Sequence, residues 1–154
     1  MPTIPGRLEV FSFGSDNKVV VDFAHTPDGF EKVLGLVSKY RKGRIITLFG
    51  CVGYSDTAKR HLMGQIAIKY SDVVILTTDN SDNVLFDTIC DDIGLKGNNV
   101  YRIKDRIEAI KFGVSMFTAH DTLVCLGKGG ETKQRINGKD IPYDEIQIIR
   151  NLKG

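Results

Sequence analysis

The sequence has no tryptophan, four prolines and only three cysteines in 154 residues. Cys51, Cys90 and Cys125 are odd in number and far apart, which excludes a complete disulfide framework and matches no zinc-ligand spacing. Each lies in or beside an apolar run. All three are therefore expected to be free thiols, packed as small hydrophobes in a reducing compartment. No hydrophobic run approaches the roughly 20 residues of a membrane span. Residues 1–11 lack the apolar stretch of a secretory leader, so a cytoplasmic location without a membrane partner is expected. Neither charge dominates: 21 Lys and Arg stand against 19 Asp and Glu, a formal net charge of +2. A nucleic-acid partner is not expected from that balance. Repeats and low-complexity stretches are absent. What is present is a globular composition, 42% hydrophobic and 26% charged, in a length that suits one domain with its own core.

Residues 1–6 contain Pro2, Pro5 and Gly6 and read as a stiff linker. Two β-prone runs follow at 8–13 and 18–23. The turn cluster Gly14-Ser-Asp-Asn17 separates them, so a hairpin is expected. Beyond it, apolar strands alternate with amphipathic helices. Helical spacing covers 28–40, 57–70, 84–93, 105–117 and 143–152; strands are expected at 44–49, 72–76, 100–103 and 122–126. A polar piece at 133–141 turns at Asn137-Gly138. Alternating strands and helices imply βαβ units. The expected fold is a Rossmann-like, doubly wound α/β domain, with a mostly parallel sheet and an N-terminal β-hairpin.

In such sheets ligands sit beyond the carboxyl ends of the strands. Four segments there are polar or glycine-rich: 22–27, 50–56, 77–83 and 127–132. Singly they are ambiguous. Gly127-Lys128-Gly129 is not a P-loop, and Gly50-Cys-Val-Gly53 lacks the third glycine of a dinucleotide fingerprint. Asp79-Asn80 reads equally as a turn, a helix cap or a ligand site. His25 reads equally as a packing residue, and Lys59-Arg60 as a solvated helix face or a phosphate clamp. No nucleophile–base spacing and no metal-ligand set stands out.

Together and in this order, Asp22-Phe-Ala-His-Thr-Pro-Asp28, Phe49-Gly-Cys51, Lys59-Arg-His-Leu-Met-Gly64, Asp79-Asn80, Asp105-Arg-Ile-Glu-Ala-Ile110 and Gly127-Lys-Gly-Gly-Glu-Thr132 resemble the C-terminal domain of the Mur ligases. The resemblance is nearest to the UDP-N-acetylmuramoyl-tripeptide synthetase branch. It makes residues 1–6 an interdomain linker remnant and 7–154 the domain. It implies ADP-forming amide-bond ligation through an acyl phosphate, adding an amino acid to a UDP-N-acetylmuramoyl-peptide during peptidoglycan synthesis. ATP and Mg would be bound mainly by a central domain outside this sequence. No cofactor held tightly by this chain, and no catalysis by the domain alone, is expected. Carried over by position, Arg7 would reach ATP phosphate on closure, Asp22 the ribose or the closure contact, and His25 the nucleotide. Ser55, Asp79, Asn80, Asp82, Gly127 and Glu131 would hold the incoming amino acid.

Three departures accompany the resemblance. Tyr54-Ser-Asp56 stands where the family has Asp-Arg-Asp, Asp79-Asn-Ser-Asp82 where it has Asp-Asn-Pro-Arg, and Gly127-Lys-Gly-Gly-Glu131 where it has Gly-Lys-Gly-His-Glu. Two carboxylate-binding arginines are thus missing. The negative charge of Asp82 is expected to repel a distal carboxylate and favour an acceptor with a cationic or neutral far end over diaminopimelate. Lys59 or Arg60 are the candidates for replacing the lost positive charge. The same losses suit an alternative function, a non-catalytic module that keeps the fold and binds a small ligand or a protein.

Overall fold

A computed structural model describes residues 8–51, 53 and 57–153. The first two strands, β1 (Glu9–Phe13) and β2 (Asn17–Asp22), pair antiparallel across a 3-10 turn at Gly14–Asp16. Helix α1 (Pro27–Tyr40) follows, with Pro27 in its first turn. Thr26 caps it by accepting from the Gly29 amide at 3.1 Å, which satisfies one donor that the first turn leaves open. Then come β3 (Ile45–Phe49), α2 (Thr57–Tyr70), β4 (Val73–Leu76), α3 (Phe86–Ile93), β5 (Val100–Arg102), α4 (Arg106–Ser115) and β6 (Thr122–Leu126). A small hairpin, β7 (Lys133–Ile136) and β8 (Lys139–Pro142), precedes the last helix, α5 (Glu145–Lys153).

The main sheet has six strands in the order β1-β2-β6-β3-β4-β5, parallel except for β1. β3, β4 and most of β6 are buried on both faces. That explains why their sequences are continuous apolar runs without alternation. Alternate residues serve opposite layers. Ile45, Phe49, Val74, Leu76, Val124 and Leu126 pack with Phe30, Leu34, Met63 and Ile93 of α1–α3. Ile46, Leu48, Ile75, Leu123 and Cys125 pack with Ala109, Ile110 and Ile149 of α4 and α5. The domain is therefore a three-layer α/β sandwich, as the alternation implied.

Differences from the expected elements are local. α3 starts at Phe86, because a turn closed by the Val84 amide on the Ser81 carbonyl precedes it. Asp105 lies outside α4 as its cap, accepting from the Glu108 amide. The polar piece at 133–141 is the β7–β8 hairpin. Its Asn137-Gly138 turn has positive φ at both residues, 52° and 73°, the geometry that a two-residue hairpin loop favours. All three cysteines are buried free thiols. Burial pushes Cys51 and Cys90 up to about 12 and Cys125 well above the usual thiol range. Among the described residues no helix is long and apolar enough to cross a membrane.

Candidate functional site

The parallel strands bring their carboxyl ends to one edge of the sheet. In register, Asp22 lies beside Leu126 and Phe49 beside Leu76. The strands approach closely there: a Cβ on Gly50 would fall 2.3 Å from the Thr77 carbonyl oxygen. Gly127 leaves β6 with φ +108°, and a Cβ on it would lie 2.6 Å from Asp79 Oδ2. Only glycine fits that conformation and that gap.

Beneath this edge lies a buried cation. Lys128 is 0% exposed. Its ammonium donates to Asn80 Oδ1 at 2.6 Å and to the Lys133 carbonyl at 3.0 Å, and pairs with Asp79 Oδ1 at 3.5 Å. The Tyr143 ring lies under it at 5.8 Å. Burial lowers the ammonium below the usual lysine range, while Asp79 and Glu131 oppose that fall. Asn80 Oδ1 also accepts from the Arg135 amide at 2.9 Å. Both partners are donors, so the contacting atom is the oxygen and the side-chain NH2 is left for the cleft.

A second buried group braces the first. Arg106 and Glu145, both wholly buried, form a two-pronged ion pair at 2.6 and 3.2 Å. Arg106 also donates to the carbonyls of Thr78 and Leu126, at the ends of β4 and β6, and Tyr143 donates its hydroxyl to Glu145. Gln134 of β7 donates to the same Thr78 carbonyl. The strand ends, the β7–β8 hairpin and α5 are thus tied together by one polar network. Neither Arg106 nor Lys128 was singled out from the sequence. Each lies inside a sequence motif, Asp105–Ile110 or Gly127–Thr132, but was given no site role there.

Above Lys128 a cleft of about 300 Å³ is lined by Asn80, Asp82, Glu131, Lys133, Arg135 and Asp140. Three of the residues expected at the acceptor site therefore share one cavity, with Asp79 and Gly127 packed just below. Glu131 makes no side-chain hydrogen bond to a described residue, and acts on Lys128 through its charge. Asp82 is held in a left-handed conformation, φ 52°. Its Oδ1 accepts from the Gly138 amide at 2.8 Å and lies 3.8 Å from Arg135 Nε. Its charge is thus opposed by a guanidinium, contrary to the expectation of a purely repulsive carboxylate. The cations that line this cleft are not the two considered from the sequence. Arg60 is 4% exposed, pairs with Asp92 at 2.7 Å and donates to the Gly53 carbonyl. Arg60 and Lys59 are not among the described residues lining this cleft; Lys133 and Arg135 are.

Asp22 and His25 line a separate cleft of about 410 Å³, with Leu8, Phe23 and the start of α1. Both Asp22 oxygens accept backbone amides, Oδ1 from Leu8 and Oδ2 from Ala24, each at 2.8 Å. His25 is exposed, lies tilted against Phe23 with ring centroids 4.9 Å apart and planes 59° from parallel, and donates from Nδ1 to the Phe23 carbonyl. That tautomer leaves Nε2 as an acceptor. The nearby cation, Lys32, is paired with Asp28 at 3.1 Å. Among the described residues no cluster of His, Cys, Asp or Glu can hold a metal ion. Arg7 and Ser55 lie outside the described residues. A third cleft, about 500 Å³, runs between the starts of α3 and α4 and the β7–β8 hairpin, and is lined in part by Asp82 and by Asp105, Arg106 and Ile107 of the Asp105–Ile110 motif.

A family profile described as Mur ligase, glutamate ligase domain matches residues 6–129. The chain belongs to the Mur ligase family. It is 40% identical over 153 residues to a UDP-N-acetylmuramoyl-L-alanyl-D-glutamate--2,6-diaminopimelate ligase of Clostridium acetobutylicum, covering 97% of this chain and 32% of that protein. It is 41% identical to the Aquifex aeolicus ligase of the same name, covering 98% and 32%. A solved structure of a diaminopimelate ligase superposes with a TM-score of 0.89 at 36% identity, over 98% of this chain and 32% of that one. A folylpolyglutamate synthase of Mycobacterium tuberculosis shares the fold, with a TM-score of 0.66 at 18% identity, over 81% and 30%. This Mur ligase domain spans about a third of the length of the curated relatives it matches.

Proposed function

We propose that this domain binds the amino acid that a Mur ligase joins to a UDP-N-acetylmuramoyl-peptide, and that it closes over an ATP-binding domain of the complete enzyme. The observation that carries this reading is the cleft itself. Asn80, Asp82 and Glu131 come from two strand ends far apart in sequence and line one cavity at the carboxyl edge of the sheet. The chemistry suits an amino acid. The Asn80 NH2 donates to a carboxylate, and the Glu131 carboxylate accepts from an ammonium. ATP supplies the leaving group that activates the peptide carboxyl; Asp22 and His25 supply one wall for the nucleotide. Among the described residues there is no carboxylate cluster to hold a metal, so no turnover by the domain alone is expected.

Titrating the ¹⁵N-labelled chain with meso-2,6-diaminopimelate and L-lysine tests this reading. Shift changes are expected at Asn80 and Glu131 and not at the N-terminal edge of the sheet around Asp121. No change with either amino acid, or steady ADP release by the purified chain, contradicts it. Serine and aspartate at positions 55 and 82, where the family has arginine, favour a second reading, a non-catalytic binding module. Under that reading a longer polypeptide carrying this domain forms no amide bond with either amino acid.

A further inference from the structure

We infer that Arg135 is the specificity-determining residue of this cleft, binding the far carboxylate of an acceptor whose distal end is itself a zwitterion, a diamino dicarboxylic acid. The inference rests on the reading that the cleft holds the acceptor. Among the described lining residues Arg135 is the one guanidinium. Its backbone is fixed by the same amide that faces the acceptor, since its N–H donates to Asn80 Oδ1 at 2.9 Å. Its side chain sits between two acids, 3.8 Å from Asp82 and 3.2 Å from Asp140.

Those contacts leave the guanidinium available. It is 50% exposed, and its partners are 39% and 45% exposed. Ion pairs this open contribute little and exchange readily. One hydrogen bond, to Asp140, uses one of five donors. Lys133 also reaches Asp140, at 3.6 Å, so Asp140 keeps a cation if Arg135 turns to a ligand. The remaining donors form a planar fork that matches a carboxylate.

The acids decide the class of ligand. Asp82, Glu131 and Asp140 face Lys133 and Arg135 in one small space, three negative charges against two positive. A far end carrying only a carboxylate would meet that excess unfavourably. A far end carrying only an ammonium would use Glu131 or Asp82 and gain nothing from Arg135. An end carrying both groups places its ammonium on the acids and its carboxylate on the fork. Asp82 and Arg135 together thus offer both signs at one point, which neither Lys59 nor Arg60 does.

Calorimetric titration of the chain and its R135Q and R135K variants, with meso-2,6-diaminopimelate and with L-lysine, tests the inference. Arg135 is on the surface, so unchanged urea midpoints are expected for both variants. R135Q is expected to weaken diaminopimelate binding about tenfold and L-lysine binding less than twofold. R135K, which keeps the charge and loses the fork, should fall between. Equal effects on both amino acids, no effect on either, or a wild-type preference for L-lysine overturns the role of Arg135 and leaves the acceptor site standing. Binding of neither amino acid by the wild-type chain overturns the acceptor reading, and this inference with it.

Discussion

Lys128, in the glycine-rich loop after β6, donates to Asn80 Oδ1 across 2.6 Å while wholly excluded from solvent. The two residues lie 48 positions apart, and the bond decides which end of the Asn80 amide faces the cleft. The same ammonium neutralises the buried Asp79. Removing one member of a buried pair strands the other charge. Lys128→Met is therefore expected to destabilise the chain by about 3 kcal/mol in urea unfolding. It should also abolish the shift changes at Asn80 on adding an amino acid. Wild-type stability in this variant would show that water already compensates Asp79.

Gly127 and Gly138 both have positive φ, yet their surroundings differ. A Cβ at Gly127 meets Asp79 Oδ2 at 2.6 Å, whereas nothing lies within 4 Å of one at Gly138. Asp79 cannot yield, because its other oxygen holds the Asn80 amide and Lys128. Gly138→Ala is expected to cost about 1 kcal/mol, the conformational cost alone. Gly127→Ala should cost at least about 2 kcal/mol and weaken amino-acid binding as well. Thermal melts of the two variants with one calorimetric titration compare them; equal costs would mean that the strand end relaxes to admit a methyl group.

The thiols give a prediction of silence. Burial removes Cys51, Cys90 and Cys125 from solvent and holds all three protonated at neutral pH, and the thiolate is the reactive form. A thiol-reactive dye at pH 8 is expected to label none of the three in the folded chain and all three in urea. Rapid labelling of one cysteine under native conditions would reveal an opening of the layer that contains it.

The sheet was legible because its physics is local. β3, β4 and β6 are short apolar runs bounded by turns, and burial on both faces demands that pattern. The β7–β8 hairpin showed only its Asn137-Gly138 turn, since β8 is exposed along its length and carries no alternation. Asp79, Asn80 and Gly127 were legible as polar or glycine residues at strand ends, while the acceptor role given to them rests on the family resemblance. The roles of Lys128, Arg106 and Arg135 were hidden. A lysine or arginine in a sequence reads as solvent-exposed. Whether it is buried, or which cleft it faces, depends on partners such as Glu145, 39 residues from Arg106, or Asn80, 55 from Arg135.

Strong acid should weaken the opposite edge of the sheet. Asp121 accepts from the Arg44 side chain and from the amides of Arg44 and Thr118. Burial alone would raise its carboxyl, but these bonds win and bring it from 3.8 to about 2. A carboxyl held below its unfolded value stabilises the fold above about pH 4, and that contribution is lost as the pH falls through 2. Its size is about 2 kcal/mol. Asp121→Asn should therefore lower stability by about that amount at pH 7, with the gap to wild type closing by pH 2. Urea midpoints at pH 7, 4 and 2.5 check this; a gap independent of pH would assign the loss to packing.

The Arg106–Glu145 pair makes the sharpest claim about how the site is held. Both side chains are wholly buried, so each single removal leaves a charge without its counter-ion. Arg106→Met and Glu145→Leu are each expected to cost about 3–5 kcal/mol. The double variant should cost less than the sum by about 2 kcal/mol or more, because no charge is then stranded. It should still fall short of wild type. The Leu126 carbonyl loses the Arg106 donor, and the Tyr143 hydroxyl loses its acceptor. The Thr78 carbonyl keeps Gln134, so β4 should hold its place better than β6. Amide exchange then separates bracing from simple packing. In the double variant, protection should fall at the β6 end, around Gly127, and not at β5. Additive losses with uniform exchange would reduce the network to ordinary core.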